Sequence, residues 1–164
     1  MKYPILYKLV CVFAFILLAG SVSGKKPIKT LLVTGQNNHN WQVSNVALKK
    51  IMEQSGRFVV DIAVSPAAGE DMSSFSPDFS AYQLVVVDYN GDSWIEATKQ
   101  NFISFARNGG GIVIYHAADN AFSNWPEFNK ICALGGWEGR DEKSGPYVYL
   151  LDGKLIKDSA PGPG

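Results

Sequence analysis

The sequence is poor in the residues that build metal and redox sites, with two histidines and two cysteines in 164 residues. No Cys-x-x-Cys or His-Glu-x-x-His spacing occurs, so a zinc site would have to be assembled from separate loops. Charge of one sign is also lacking. Fifteen basic residues balance fifteen acidic ones, which leaves no basic patch for nucleic acid and no acidic tail. The partner this implies is a small, largely uncharged molecule. No Walker or dinucleotide fingerprint appears. Gly109-Gly110-Gly111 opens a strand rather than a helix, so its amides do not form a phosphate cradle. Asp88-Tyr89-Asn90-Gly91-Asp92 starts like a calcium loop. Its sixth and twelfth positions are Ser93 and Lys99, where that loop needs glycine and a bidentate glutamate.

Long hydrophobic runs are limited to one, Leu9 to Ala19, which is shorter than the roughly 20 residues of a spanning helix. Lysines precede it and the small residues Ser21-Val22-Ser23-Gly24 follow it, so residues 1–24 read as a signal peptide. That reading places the mature protein in the periplasm or outside the cell, with no membrane span after cleavage. Cys11 is lost with the leader, and Cys132 alone cannot form an internal disulfide, so stability must come from a core. Residues 25–164, about 140 in number, suit a single domain.

What is present is an alternation of strands and helices. Ile28 to Thr34 reads as a strand broken by Gly35 and a polar run, and a helix is predicted from Gln42 to Ser55. Its apolar positions are Val43, Val46, Ala47 and Met52, widened by Leu48 and Ile51. Phe58 to Val64 and Leu84 to Asp88 read as further strands, separated by a surface loop over Ser65 to Asp78. Ser93-Trp94-Ile95-Glu96 has capping-box spacing ahead of a helix to Arg107. Gly111 to Tyr115 is a fourth strand, and Asn124-Trp125-Pro126-Glu127 opens a short helix. The expected fold is α/β, a flavodoxin-like three-layer sandwich around a mostly parallel sheet with right-handed crossovers.

In such sheets ligands sit beyond the carboxyl ends of the strands. Three of those ends carry polar groups here: Gly35 to Trp41, Asp88 to Asp92, and His116 to Asp119. Gly35, Asn37 and Asn90 are candidate substrate-binding residues on this ground. Trp41 and Trp125 join them because each follows a site-forming end and an indole can stack on a sugar ring, although core packing is the commoner fate of the four tryptophans. The turn at His116 resembles a nucleophile elbow, but histidine there suits acid–base work or metal ligation. His39 stands in a polar loop, and Cys132 reads as a small buried hydrophobe.

Several phrases in order resemble the trehalose-utilization (ThuA-like) family: Thr34-Gly35 with His39-Asn40-Trp41, Phe79 to Gly91, Gly109 to Ala118, Phe122 to Phe128, and Gly135-Gly136-Trp137. The resemblance covers nearly the whole of residues 25–164. It implies a fold similar to that of class I glutamine amidotransferases without their catalytic cysteine, whose elbow position His116 occupies, so amidotransferase activity is not implied. It also implies a link to the breakdown of disaccharides, including keto-sugars. The mechanism expected from these residues is acid–base chemistry by His116 and Asp119 with His39. A divalent metal held by His39, His116 and a carboxylate is a variant that two histidines allow but do not require. A non-catalytic sugar-binding module or an inactive fragment is the alternative. Relatives continue past a Pro-Gly-Pro-Gly segment similar to Pro161 to Gly164, so the domain is expected to be incomplete at its C-terminus.

Overall fold

The seven residues Ile28–Thr34 form β1, the strand on which the sheet is built. Its last five residues are all buried, as a near-continuous apolar run demands when both sheet faces are covered. In this computed structural model residues 26–133 and 146–159 are described. The expected leader, Trp137 with its preceding glycines, and Pro161 to Gly164 lie outside the described residues.

From β1 the chain enters helix α1 (Trp41–Gln54), returns as β2 (Phe58–Val64), and crosses to β3 (Leu84–Val87). Helix α2 (Glu96–Arg107) then leads to β4 (Gly111–Ile114), and α3 (Pro126–Cys132) follows. All pairings among these strands are parallel, in the order β2-β1-β3-β4. The chain therefore winds one way from β1 to β2 and the other way from β1's far side onward. The point of reversal lies between β1 and β3, the crevice where ligands bind in doubly wound sheets.

Alternation along the strands divides the core in two. Leu32, Val60 and Val86 face α1 and meet Leu48 and Met52. Leu31, Val33, Val85 and Val87 face the other way and join a larger cluster with Phe79, Phe102, Phe105 and Phe128. Helices thus cover both faces, giving the expected three layers. Phe79, Phe102 and Phe128 are almost wholly buried, each stabilising the fold by roughly 1.5–3 kcal/mol through burial alone.

Four local expectations are corrected. Helix α1 forms, capped by the Asn40 side chain accepting from the Val43 amide at 3.3 Å, but its inner face is rotated from the one the periodicity suggests. Val43 and Val46 are each 62% exposed, while Ser44 reaches Asp88 and Asn45 is the buried residue of the helix. The capping box at Ser93 does not form: Ile95 is the N-cap with no side-chain cap. Burial of Trp94 in the large cluster fixes this entry instead, and Glu96 accepts from Gln100. The segment 65–78 is no mere surface loop, since Met72 and Phe75 are buried around a short 3-10 turn. Lastly, Tyr147–Leu151 (β5) and Lys154–Asp158 (β6) pair antiparallel, an element absent from the sequence reading. Asp152 and Gly153 take φ of 50° and 74° at its tip, as a two-residue type I′ hairpin requires.

Candidate functional site

Each parallel strand delivers its following loop to the same edge of the sheet, so three loops distant in sequence meet there. Gln36, just beyond β1, is the joint. Its Nε2 donates to the Pro66 carbonyl at 2.9 Å, its Oε1 accepts from the Asp92 amide at 2.8 Å, and its own carbonyl accepts from the Asn90 amide at 2.9 Å. Gly35 precedes it with φ of 125°, and a Cβ there would lie 2.4 Å from Ser65 Oγ. Gly35 therefore serves close backbone approach between loops, the space beside it being filled by Ser65. Gly91 is equally confined, with Gln36 Cβ 2.3 Å from where its own Cβ would stand.

The floor of the site is Asp88, the residue after β3, only 2% exposed. Ser44 Oγ donates to its Oδ2, and Asn37 Nδ2 donates to its Oδ1 at 3.1 Å. Asn37 Oδ1 in turn accepts from the His39 amide at 3.0 Å, so the polar loop after β1 is folded down onto the carboxylate. Desolvation raises the Asp88 pKa above the usual carboxylate range, opposed by the Ser44 and Asn37 hydrogen bonds and by the charges of His39 and His116.

His116 leaves β4 in the left-handed region, with φ of 49°, a conformation that costs a non-glycine residue of order 1–3 kcal/mol. The turn continues as a five-residue 3-10 segment, His116–Asn120. This sharp exit carries the imidazole to the edge, where its ring centroid lies 4.6 Å from that of His39. Both histidines line a cavity of about 470 Å³ together with Asp119, Asn120 and Cys132. The three candidate catalytic residues, His39, His116 and Asp119, thus share one cavity. Burial, with the charge of Asp119 in second place, pushes the Cys132 thiol up to about 11; it stands half-buried at the wall.

The proposed substrate contacts are distributed differently. Asn37 is part of the hydrogen-bonded floor, and Asn90 lines a second cavity of about 340 Å³. Trp125 is only 6% exposed, packed against Trp94, Phe122 and Phe128, and its remaining surface lines the same second cavity as Asn90. Trp41 is half-buried, and its carbonyl accepts from the Asn45 side chain at 2.7 Å; it lines neither cavity at this edge. Among the described residues no group of three or more histidines, cysteines or carboxylates is arranged to hold a metal.

Comparison with known proteins gives one strong likeness. No family model and no curated protein matches this sequence. A crystallographic structure from Parabacteroides merdae ATCC 43184, described only as that of a ThuA-like protein, is 73% identical over 85% of this chain with a TM-score of 0.80. Over most of its own length this chain is similar to that ThuA-like protein. It spans about half the length of that crystallised protein, 50% of which is covered.

The residues that sequence reasoning missed are those that hold others in place. Ser44 sits one turn into α1, and nothing in a helical pattern marks it as a partner of Asp88. Gln36 reads as one more polar loop residue. Asp88 carried a usable signal, an ionisable group closing a buried apolar strand. Among the described residues no helix is long and apolar enough to cross a membrane.

Proposed function

We propose that this protein acts in carbohydrate utilization by proton transfer at the His39–His116 pair, on a disaccharide or keto-sugar. The observation that carries the reading is the 4.6 Å separation of the two rings at the carboxyl edge of the sheet, where the loops after β1 and β4 meet. Asp119 lies in the same cavity and Asp88 beneath. Two imidazoles so placed can serve as acid and base toward one substrate. On a keto-sugar, one imidazole takes the proton from the carbon next to the ketone while the other, or Asp119, delivers a proton to the carbonyl oxygen, giving an enediol. A nucleophile is not required, which accords with histidine rather than cysteine at the elbow; amidotransferase chemistry is not part of the proposal. The leader-like residues 1–24 support action in the periplasm or outside the cell.

Solvent-deuterium incorporation into a 3-keto-disaccharide, followed by NMR, tests this. The wild-type chain should exchange the proton next to the ketone, and His116→Asn should slow exchange at least 100-fold with sugar binding retained. Binding without exchange in the wild type would identify a sugar-binding module instead. Absence of both would overturn the carbohydrate reading.

A further inference from the structure

The second cavity at the sheet edge is absorbed by nothing described so far. It adjoins the histidine cavity through Asn120, which lines both. Its remaining polar wall is Asn90, Ser93, Ser123 and Asn124, with Lys99 as its one charged residue. Lys99 rises from the first turn of α2, and its Nζ stands 5.8 Å from the centroid of the Trp125 ring. Among the described residues no carboxylate lies within ion-pair distance of this ammonium; the one ion pair they form is Lys49 with Glu53. Asn120 Oδ1 is buried without a hydrogen-bond partner, at the wall between the two cavities.

These groups have a common chemical sense. Amides and hydroxyls arrayed around a concave wall match the alternating donors and acceptors of a polyol. An ammonium above an aromatic face, with no acidic neighbour, is a point charge open to an oxyanion. A buried carbonyl oxygen without a donor is costly unless one arrives, and a sugar hydroxyl crossing from one cavity to the other would supply it.

We propose that the Lys99 cavity is a subsite for the anionic end of an acidic sugar, a carboxylate or a phosphate, held by Lys99 with Asn120 donated to by a hydroxyl of the same molecule. The ligand would extend from this subsite toward the His39–His116 cavity. The subsite deepens the carbohydrate reading above, yet its binding of anionic sugars stands or falls separately from proton transfer at the histidines.

The test is calorimetric titration of the full chain with D-gluconate, D-glucose 6-phosphate, inorganic phosphate and the neutral D-glucitol. At least one of the two acidic sugars should bind ten-fold or more tightly than glucitol, and comparison of the two separates carboxylate from phosphate. Lys99→Gln should remove that preference and Lys99→Arg should keep most of it. His116→Asn should leave it intact, so failure of the histidine chemistry is distinguishable from failure of the subsite. Equal binding of glucitol and the acids, an unchanged preference in Lys99→Gln, or no binding at all would overturn the proposal. Inorganic phosphate binding as tightly as glucose 6-phosphate would reduce the site to an anion site and overturn its sugar part.

Discussion

Asn37 donates its side-chain amide to Asp88 Oδ1 at 3.1 Å across 51 residues of sequence, and this bond spans the point where the sheet reverses direction. The loop after β1 is thereby fastened to the end of β3, and His39, two residues on, is set beside His116.

The burial of Asp88 makes stability depend on pH in a stated direction. Its folded-state pKa is raised by desolvation, so above the ordinary carboxylate value of about 3.9 the folded protein retains a proton that the unfolded chain has released. Stability falls as pH climbs through that window and levels off above the raised value. Asp88→Asn should lack this contribution. The difference in urea midpoint between wild type and Asp88→Asn, measured from pH 3 to 8, should therefore move in favour of the variant as pH rises and then become flat. A constant difference would contradict the burial argument.

Ser44→Ala withdraws one of the two side-chain donors to the same carboxylate. A loss of about 1–3 kcal/mol is expected from leaving a buried acceptor short of a partner. The variant should also carry the pH-dependent window further upward, because a bond that favours the charged form has gone. Equilibrium urea unfolding across the same pH range reads both effects.

The left-handed conformation of His116 gives a third expectation. His116→Gly relieves the backbone and should be at least as stable as the wild type, whereas His116→Val should lose about 1–2 kcal/mol, since branched residues tolerate that region poorly. Thermal melts of the two variants at matched pH decide it; equal loss in both would mean that the side chain, not the backbone, sets stability there.

Gly91→Ala should cost about 1–3 kcal/mol through overpacking against Gln36. Gly35→Ala should cost more, because a contact with Ser65 adds to an unfavourable φ. Denaturation midpoints of the two variants should fall in that order.

A raised thiol pKa predicts slow alkylation of Cys132. With a value near 11, about one thiol in a thousand is ionised at pH 8, so labelling should accelerate about ten-fold per pH unit up to pH 10. Peptide mapping after iodoacetamide treatment, with urea-unfolded protein as the fast reference, measures this residue alone. Rates equal to the unfolded reference at pH 8 would show the thiol to be exposed.

The legible parts of the fold were those governed by burial on two faces. β1 and β2 run over the residues expected of them, Ile28–Thr34 and Phe58–Val64, and β3 and β4 each end one residue early, where Asp88 and Tyr115 turn toward the edge. Helix α1 was legible as a helix but not in its orientation. Moment-like patterning favours Val43 and Val46, yet the demand of Asp88 for Ser44 turns those valines outward. Such a polar tether between distant segments leaves no periodic trace. The β5–β6 hairpin has a local signal in Asp152-Gly153, a turn pair that the strand-and-helix alternation does not use. At the site, the glycines and strand before His116 make its sharp turn legible, since the elbow is a local feature. Trp125 both packs into the aromatic cluster around Trp94 and lines the second cavity, a double role that position after a site-forming end does not reveal.

Gln36 binds to the loops that follow β2 and β3 while belonging to the one that follows β1. Three rim segments joined at one side chain lose their separate freedom during folding, before any ligand arrives. A molecule settling on this rim therefore meets loops whose ordering entropy has already been spent, and more of each contact it makes is kept as affinity.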